Sequence, residues 1–229
     1  MTESAYSVMK PGRAMRLVVL GCALSCVGCL GGAFDGELPP QHVYLLRPLP
    51  AASEGGAVLP VGVTVARPTA RPGLDTDRIA LLQPDRRLDY YAAARWGAEA
   101  QEVMQDLLIQ SLRNTGRLAT VQGDTSPFIA EYVLQTDITD FQAEYPGSGA
   151  GPTVHVTLIC TIGRMKDRKP LAGFTAAATA PATADTLSAT VEAFETAYQQ
   201  AARVAVSSTL NALAAASATR PQRPPGIDP

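Results

Sequence analysis

Ile129-Ala-Glu-Tyr-Val-Leu-Gln-Thr-Asp-Ile-Thr-Asp-Phe141 places Tyr132, Leu134, Thr136 and Ile138 on one side of an extended chain and Glu131, Gln135, Asp137 and Thr139 on the other. Side chains of a strand alternate between faces, so this period of two predicts a β-strand with one buried and one wet face. Val133 is the apolar exception on the wet side. Phe141 falls out of phase, which predicts a bulge near Thr139-Asp140. After the loop Tyr145-Pro-Gly-Ser-Gly-Ala-Gly-Pro152, the alternation returns in Val154, Val156, Leu158, Cys160 and Ile162. A basic hairpin tip, Met165-Lys-Asp-Arg-Lys-Pro170, then leads into Leu171 to Ala178. The expectation is an antiparallel meander of three strands, with Cys160 an inert thiol on the buried face.

Upstream, His42 to Pro48 and Val61 to Val65 read as short strands, and Arg71-Pro-Gly-Leu-Asp-Thr-Asp77 reads as a turn. Arg78 to Leu82 and Arg87 to Tyr91 form a hairpin around Gln83-Pro84-Asp85. Ala94 to Arg113 carries Trp96, Ala100, Val103 and Leu107 at helical spacing, flanked by Met104, Leu108 and Leu112, and stops at Asn114-Thr-Gly116. Trp96 is expected to be core on that helix. Leu118 to Val121 is a brief strand. A second helix, capped by Asp185 or Thr186, repeats Leu187, Val191, Phe194, Tyr198, Ala202 and Ala205. The predicted fold is α/β (α+β): a mixed, largely antiparallel sheet with two long helices packed on it, one domain over residues 42–214. Residues 215–229, rich in Ala, Ser and Thr and then Pro, are expected to be a disordered tail.

The first residues have a different character. Arg13 and Arg16 precede an apolar run from Leu17 to Gly28 that matches a secretory h-region and is too short to span a bilayer. The following Val27-Gly28-Cys29-Leu-Gly-Gly resembles the lipobox of bacterial lipoproteins, which makes residues 1–28 a signal peptide and Cys29 the acylated first residue. Position minus three is Cys26 where the pattern prefers Leu, and Cys26 after Ala-Leu-Ser is the second choice. Met9 or Met15 are alternative starts. Residues 29–41, with Gly36, Pro39 and Pro40, read as a tether.

The chain has 229 residues and a formal charge of −2, and the signal segment holds Lys10, Arg13 and Arg16 against Glu3, so the remainder is more acidic still. A nucleic-acid binder would need a basic face. Of four cysteines only Cys160 lies in the body, so no internal disulfide is expected there.

Catalytic chemistry is sparsely represented. Gly147-Ser-Gly-Ala-Gly151 lacks the spacing of a nucleophile elbow, and no Gly-Lys-Ser/Thr opens a helix to cradle a phosphate. A metal site would have to draw on His42, His155 and Cys160, and His155 and Cys160 point to opposite faces of one strand. Asp75, Asp77 and Asp89 fit turn and capping roles better than acid–base pairs. The tip residues Arg164, Lys166, Arg168 and Lys169 suit contact with phospholipid headgroups or an acidic partner, or a solvated hairpin that resists edge aggregation.

Five stretches carry a wider resemblance. Tyr44-Leu-Leu-Arg-Pro, Pro72-Gly-Leu-Asp-Thr-Asp-Arg-Ile79, Leu88-Asp-Tyr-Tyr91 followed by Arg95-Trp96, Tyr132 to Phe141, and Ala193-Phe-Glu-Thr-Ala197 occur in order. They resemble the ABC-type transport auxiliary lipoproteins of the paraquat-inducible, membrane-integrity type. The resemblance implies an α/β domain acting without enzymatic activity or cofactor beyond its covalent N-terminal lipid, palmitate among the acyl chains. It implies a place on the outer membrane, facing the periplasm. There the protein would serve a lipid transport system whose periplasmic partner is a substrate-binding protein of the mammalian-cell-entry type. The alternative is a lipid-binding shuttle with its own apolar cavity. The oligomeric state stays open, a homo-oligomer included.

Overall fold

The computed structural model describes residues 41–51, 56–147 and 151–219. Among them are nine strands and two helices. The strands are β1 (His42–Tyr44), β2 (Leu59–Val65), β3 (Thr69–Ala70), β4 (Arg78–Leu82) and β5 (Leu88–Trp96), then β6 (Leu118–Gly123), β7 (Tyr132–Glu144), β8 (Thr153–Arg164) and β9 (Lys169–Pro181). Helix α1 (Ala100–Asn114) lies between β5 and β6, and α2 (Leu187–Ala218) follows β9.

The alternating stretch is the spine of the sheet. One edge of β7 pairs antiparallel with β8 along its length, and β8 pairs antiparallel with β9, which is the expected meander. The register slips between Ile138 and Asp140, where Phe141 returns to the buried face at 2 % exposure. The other edge of β7 is shared by three short parallel strands in succession: β2 at Tyr132–Leu134, β3 at Asp137–Ile138 and β4 at Gln142–Glu144. Beyond these, β6 runs parallel to β2, β5 antiparallel to β4, and β1 parallel to β5. Thirteen residues of β7 are long enough to dock three partners end to end, so the sheet divides on that side.

Both helices bury apolar faces against the sheet. Helix α2 covers β8 and β9, and its buried face is built largely of Ala193, Ala197, Ala201, Ala202 and Ala205. Small residues let the helix approach the alanines Ala176 and Ala180 of β9 closely. Helix α1 covers β6 and β2 with Met104, Leu107, Leu108 and Leu112. The segment after β1 ties the two helices together. Leu49 N donates to Ser111 Oγ at 3.0 Å, Ser111 Oγ bonds Tyr198 OH at 3.0 Å, and Arg47 pairs with Glu195 at 2.8 Å. Opposite this layer, Gln135, Asp137, Thr175, Ala177 and Thr179 leave the far sheet face open to solvent.

Two expected boundaries move. Trp96 belongs to β5 and not to a helix, since Ala94 and Trp96 are buried while Arg95 between them is exposed. Parallel pairing with β1 extends that strand through Trp96. The turn at 71–77 then sets where the helix begins, because Thr76 O accepts from Ala100 N at 3.0 Å and Asp77 O accepts from Trp96 N at 2.7 Å. Alanine's intrinsic preference at Ala94 is for helix, and tertiary pairing with β1 overrides it. At the other end α2 continues through Ala218, so the first residues of the tail expected to be disordered from 215 are helical. Ala214 to Ala216 and Ala218 favour helix intrinsically, and Leu213 is fully buried just before them. Thr186, not Asp185, is the N-cap, accepting from Ala189 N at 3.3 Å. Residues 1–40 and 220–229, and with them the expected signal peptide, most of the tether and the Pro-rich end, lie outside the described residues.

Trp96, Phe141 and Phe194 form the aromatic centre of the core. Their ring centroids lie 5.4, 5.1 and 5.1 Å apart, with Phe194 edge-on to both others. One ring comes from β5, one from β7 and one from α2, so the cluster joins sheet to helix.

Candidate functional site

The residues that offered catalytic possibilities are occupied in structural work. Asp75 Oδ1 accepts from Gly73 N, Asp77 pairs with Arg95 at 3.3 Å, and Asp89 accepts from Gln83 and Arg87. These are turn and strand-pair contacts between groups that remain partly exposed, and each contributes little to stability. Cys160 is fully buried, and its Sγ lies 3.8 Å from Thr136 Oγ1. Burial pushes its thiol up to about 11, so it is a poor nucleophile. His155 lies on the other side of the strand, with Nε2 3.7 Å from Glu144. Among the described residues no group of three His, Cys, Asp or Glu side chains converges on a metal position.

A tyrosine cluster joins the open end of β7 to the start of α2. Tyr145 OH donates to Asp185 Oδ1 at 2.6 Å, and Tyr91 OH sits 3.5 Å from both Tyr145 OH and Thr190 Oγ1. Desolvation, with the Asp185 bond behind it, pushes the Tyr145 hydroxyl well above its ordinary value. The phenol therefore stays protonated, and its role is to hold the strand end against the helix cap.

The sequence-predicted tip lies at the turn between β8 and β9. Arg164 closes the turn through Asp167 at 3.3 Å, and Arg168 adopts a left-handed φ of 54°. Lys166, Arg168 and Lys169 are exposed. The structure adds a neighbour that sequence reasoning missed. The alternation predicts a strand from Ile129, yet β7 starts only at Tyr132. Phe128 and Ile129 instead stand in the preceding loop, 76 % and 94 % exposed. Met165 N donates to Glu131 O at 2.9 Å, which brings this loop beside the tip, and Met165 is itself 48 % exposed. Ser126-Pro127 just before Phe128 was the available signal, since proline turns are where apolar residues leave a strand's alternation.

Two broad grooves are surface features. One, of about 1020 Å³, runs between β1 and α1 and is lined by charged side chains including Arg67, Glu102, Asp106 and Arg113. Another, of about 960 Å³, lies where α2 ends over β9 and is lined mainly by Tyr132, Leu171, Ala172 and alanines of α2, with Arg164 and Lys166 among them. Both open to solvent and neither encloses a space as a sheath for an acyl chain would. The candidate acylation sites, Cys29 and Cys26, lie outside the described residues. No helix among those residues is long and apolar enough to cross a membrane.

Residues 44–206 match the family model of the ABC-type transport auxiliary lipoprotein component. Among solved structures, a Xanthomonas campestris protein superposes with a TM-score of 0.69 at 24 % identity, covering 78 % of this chain and 100 % of its own. A second crystal structure, of an uncharacterized protein, gives a TM-score of 0.58 at 12 % identity over 74 % of this chain and 98 % of its own. No curated protein matches the chain. At these identities the structural likeness speaks to the fold.

Proposed function

The chain belongs to the ABC-type transport auxiliary lipoprotein family, and we propose from this that it is a non-enzymatic accessory of a lipid transport system. In this reading Cys29 carries the lipid, the outer membrane is the anchoring membrane, and the domain docks to a periplasmic protein of the mammalian-cell-entry type. The observation that carries the proposal is the family match across Tyr44 to Val206, which takes in all of α1 and the first part of α2. Supporting it, the ionisable groups weighed as catalytic are engaged in turns, strand pairs and the core. The grooves beside α1 and at the end of α2 open to solvent, which favours a docking module over a shuttle that encloses its lipid.

The test is cross-linking and pull-down of the full chain from intact envelopes. Recovery of permease, ATPase or mammalian-cell-entry components supports the accessory role, and recovery of none while the assembly survives sinks it. Lipid retained by the protein in native mass spectrometry would move the shuttle to first place. Cys29→Ser should release a folded body that still binds the partner in vitro yet fails to restore resistance to membrane-disrupting agents. If the Cys29→Ser protein is still acylated, Cys26 is the lipid site.

A further inference from the structure

We propose that the loop at 124–131 and the tip between β8 and β9 form a membrane-insertion surface, in which Phe128, Ile129 and Met165 enter the interface of an anionic phospholipid bilayer. Strands β2, β6 and β7 begin at this end of the domain, β8 finishes there and β9 starts there. Residues just outside those strand ends therefore project past the sheet. Val58 at 61 % exposure, Ile129 at 94 % and Met165 at 48 % do so, and Phe128, 76 % exposed, stands next to Ile129 in the loop that passes Gln122 of β6 on its way to β7. Single exposed apolar residues are ordinary on a protein surface, whereas several gathered beside basic side chains are the pattern of an interfacial membrane contact.

The electrostatics favour the same occupant. The chain as a whole is acidic, with a net charge of −2. Among the described residues this end nevertheless carries Arg117, Arg164, Lys166, Arg168 and Lys169 against Glu131 and Asp167, while Asp124 at the far start of the loop is held by Arg67 N and Gln105. Both carboxylates are already engaged, Glu131 Oε2 by Gly62 N at 2.6 Å and Asp167 by Arg164. A basic patch on an acidic protein orients that face toward an anionic surface. The apolar residues are also held in place. Gln122 Nε2 donates to Phe128 O at 2.6 Å, Ser126 N to Gly123 O at 3.2 Å, and Met165 N to Glu131 O at 2.9 Å. Little ordering is left for the bilayer to impose, so more of the insertion energy is retained. A single lipid on a chain segment fixes location but not orientation, and a second contact of this kind would set which face the domain turns to the membrane. The inference rests on the membrane-lipoprotein reading of the family but not on any transporter partner.

The experiment places Phe128→Trp in the full chain, reconstituted into vesicles of phosphatidylcholine and phosphatidylglycerol with brominated acyl chains. Trp96 is 1 % exposed and supplies a shielded background. The added emission should be lost in large part to bromine quenching, while a Thr175→Trp control on the open sheet face should keep most of its own. Arg168→Glu with Lys169→Glu should weaken the quenching about tenfold or more in vesicle titrations, with far-UV circular dichroism unchanged. Absent quenching of the Phe128→Trp chain overturns the proposal. So does quenching that is equal on neutral phosphatidylcholine vesicles and indifferent to the charge reversal. A blue shift of Phe128→Trp on concentration without vesicles would identify a second copy of the chain as the occupant. Protection only on adding a transporter protein would identify a protein partner. Either result overturns the membrane assignment, while pull-down of transporter components is read separately.

Discussion

Trp96→Ala removes the ring that joins β5 to both β7 and α2. The side chain is 1 % exposed, and its centroid lies 5.4 Å from Phe141 and 5.1 Å from Phe194. Truncating a fully buried Trp costs about 3–5 kcal/mol, the transfer term plus the cavity left behind. The two ring contacts, at about 0.5–1.5 kcal/mol each beyond area, place the expected loss toward the upper half of that range. Against a total of roughly 5–15 kcal/mol this is a large fraction of the stability, and the melting temperature should fall by about 10–15 °C. Urea unfolding followed by far-UV circular dichroism measures it without relying on the lost fluorophore, and the slope should be unchanged if only stability moved. Trp96→Phe keeps a ring in place and should cost markedly less. A double-mutant cycle of Trp96→Leu with Phe194→Leu should return a coupling of about 1 kcal/mol. A loss below about 1 kcal/mol for Trp96→Ala, or zero coupling in the cycle, refutes the claim that this cluster joins sheet to helix.

Cys160 should resist a water-soluble maleimide at pH 8 in the folded protein and react once urea exposes it, as peptide mass spectrometry would show. Burial raises its thiol from an ordinary 9.0 to about 11, so its contribution is complete below pH 9 and is lost as pH rises through about 11. Cys160→Ala should accordingly flatten the alkaline limb of the stability profile between those values. Gly73→Ala should destabilise the domain by about 1–2 kcal/mol in the same urea assay. Gly73 holds a φ of +89°, and an added Cβ would meet Leu88 Cδ2 at 2.6 Å. An unchanged midpoint would mean that the 71–77 turn relaxes freely, despite the bond from Tyr90 OH to Gly73 O at 2.9 Å.

Strand alternation in Tyr132 to Ile138 and in Val154 to Ile162 was enough to fix the meander, its bulge and the burial of Cys160, because a period of two leaves one register that hides the apolar side. Helical spacing in Leu187 to Ala205 likewise identified α2 and the face it turns to the sheet. Trp96 was legible as core but not as strand, since only its pairing with Tyr44, distant in sequence, decides between the two. Of the three short strands sharing one edge of β7, β2 and β4 are legible as strands and β3 is not, and the edge they share is invisible for all three. Each is a weak local signal whose parallel partner lies many residues away, and parallel pairing leaves no turn motif to announce it. The basic tip could be named from sequence because its residues are contiguous. Its apolar companion could not: Phe128 and Ile129 look like the start of the next strand. What exposes them is where β7 begins to pair, at Tyr132 with Val63 and Arg164, and that is set by the sheet as a whole.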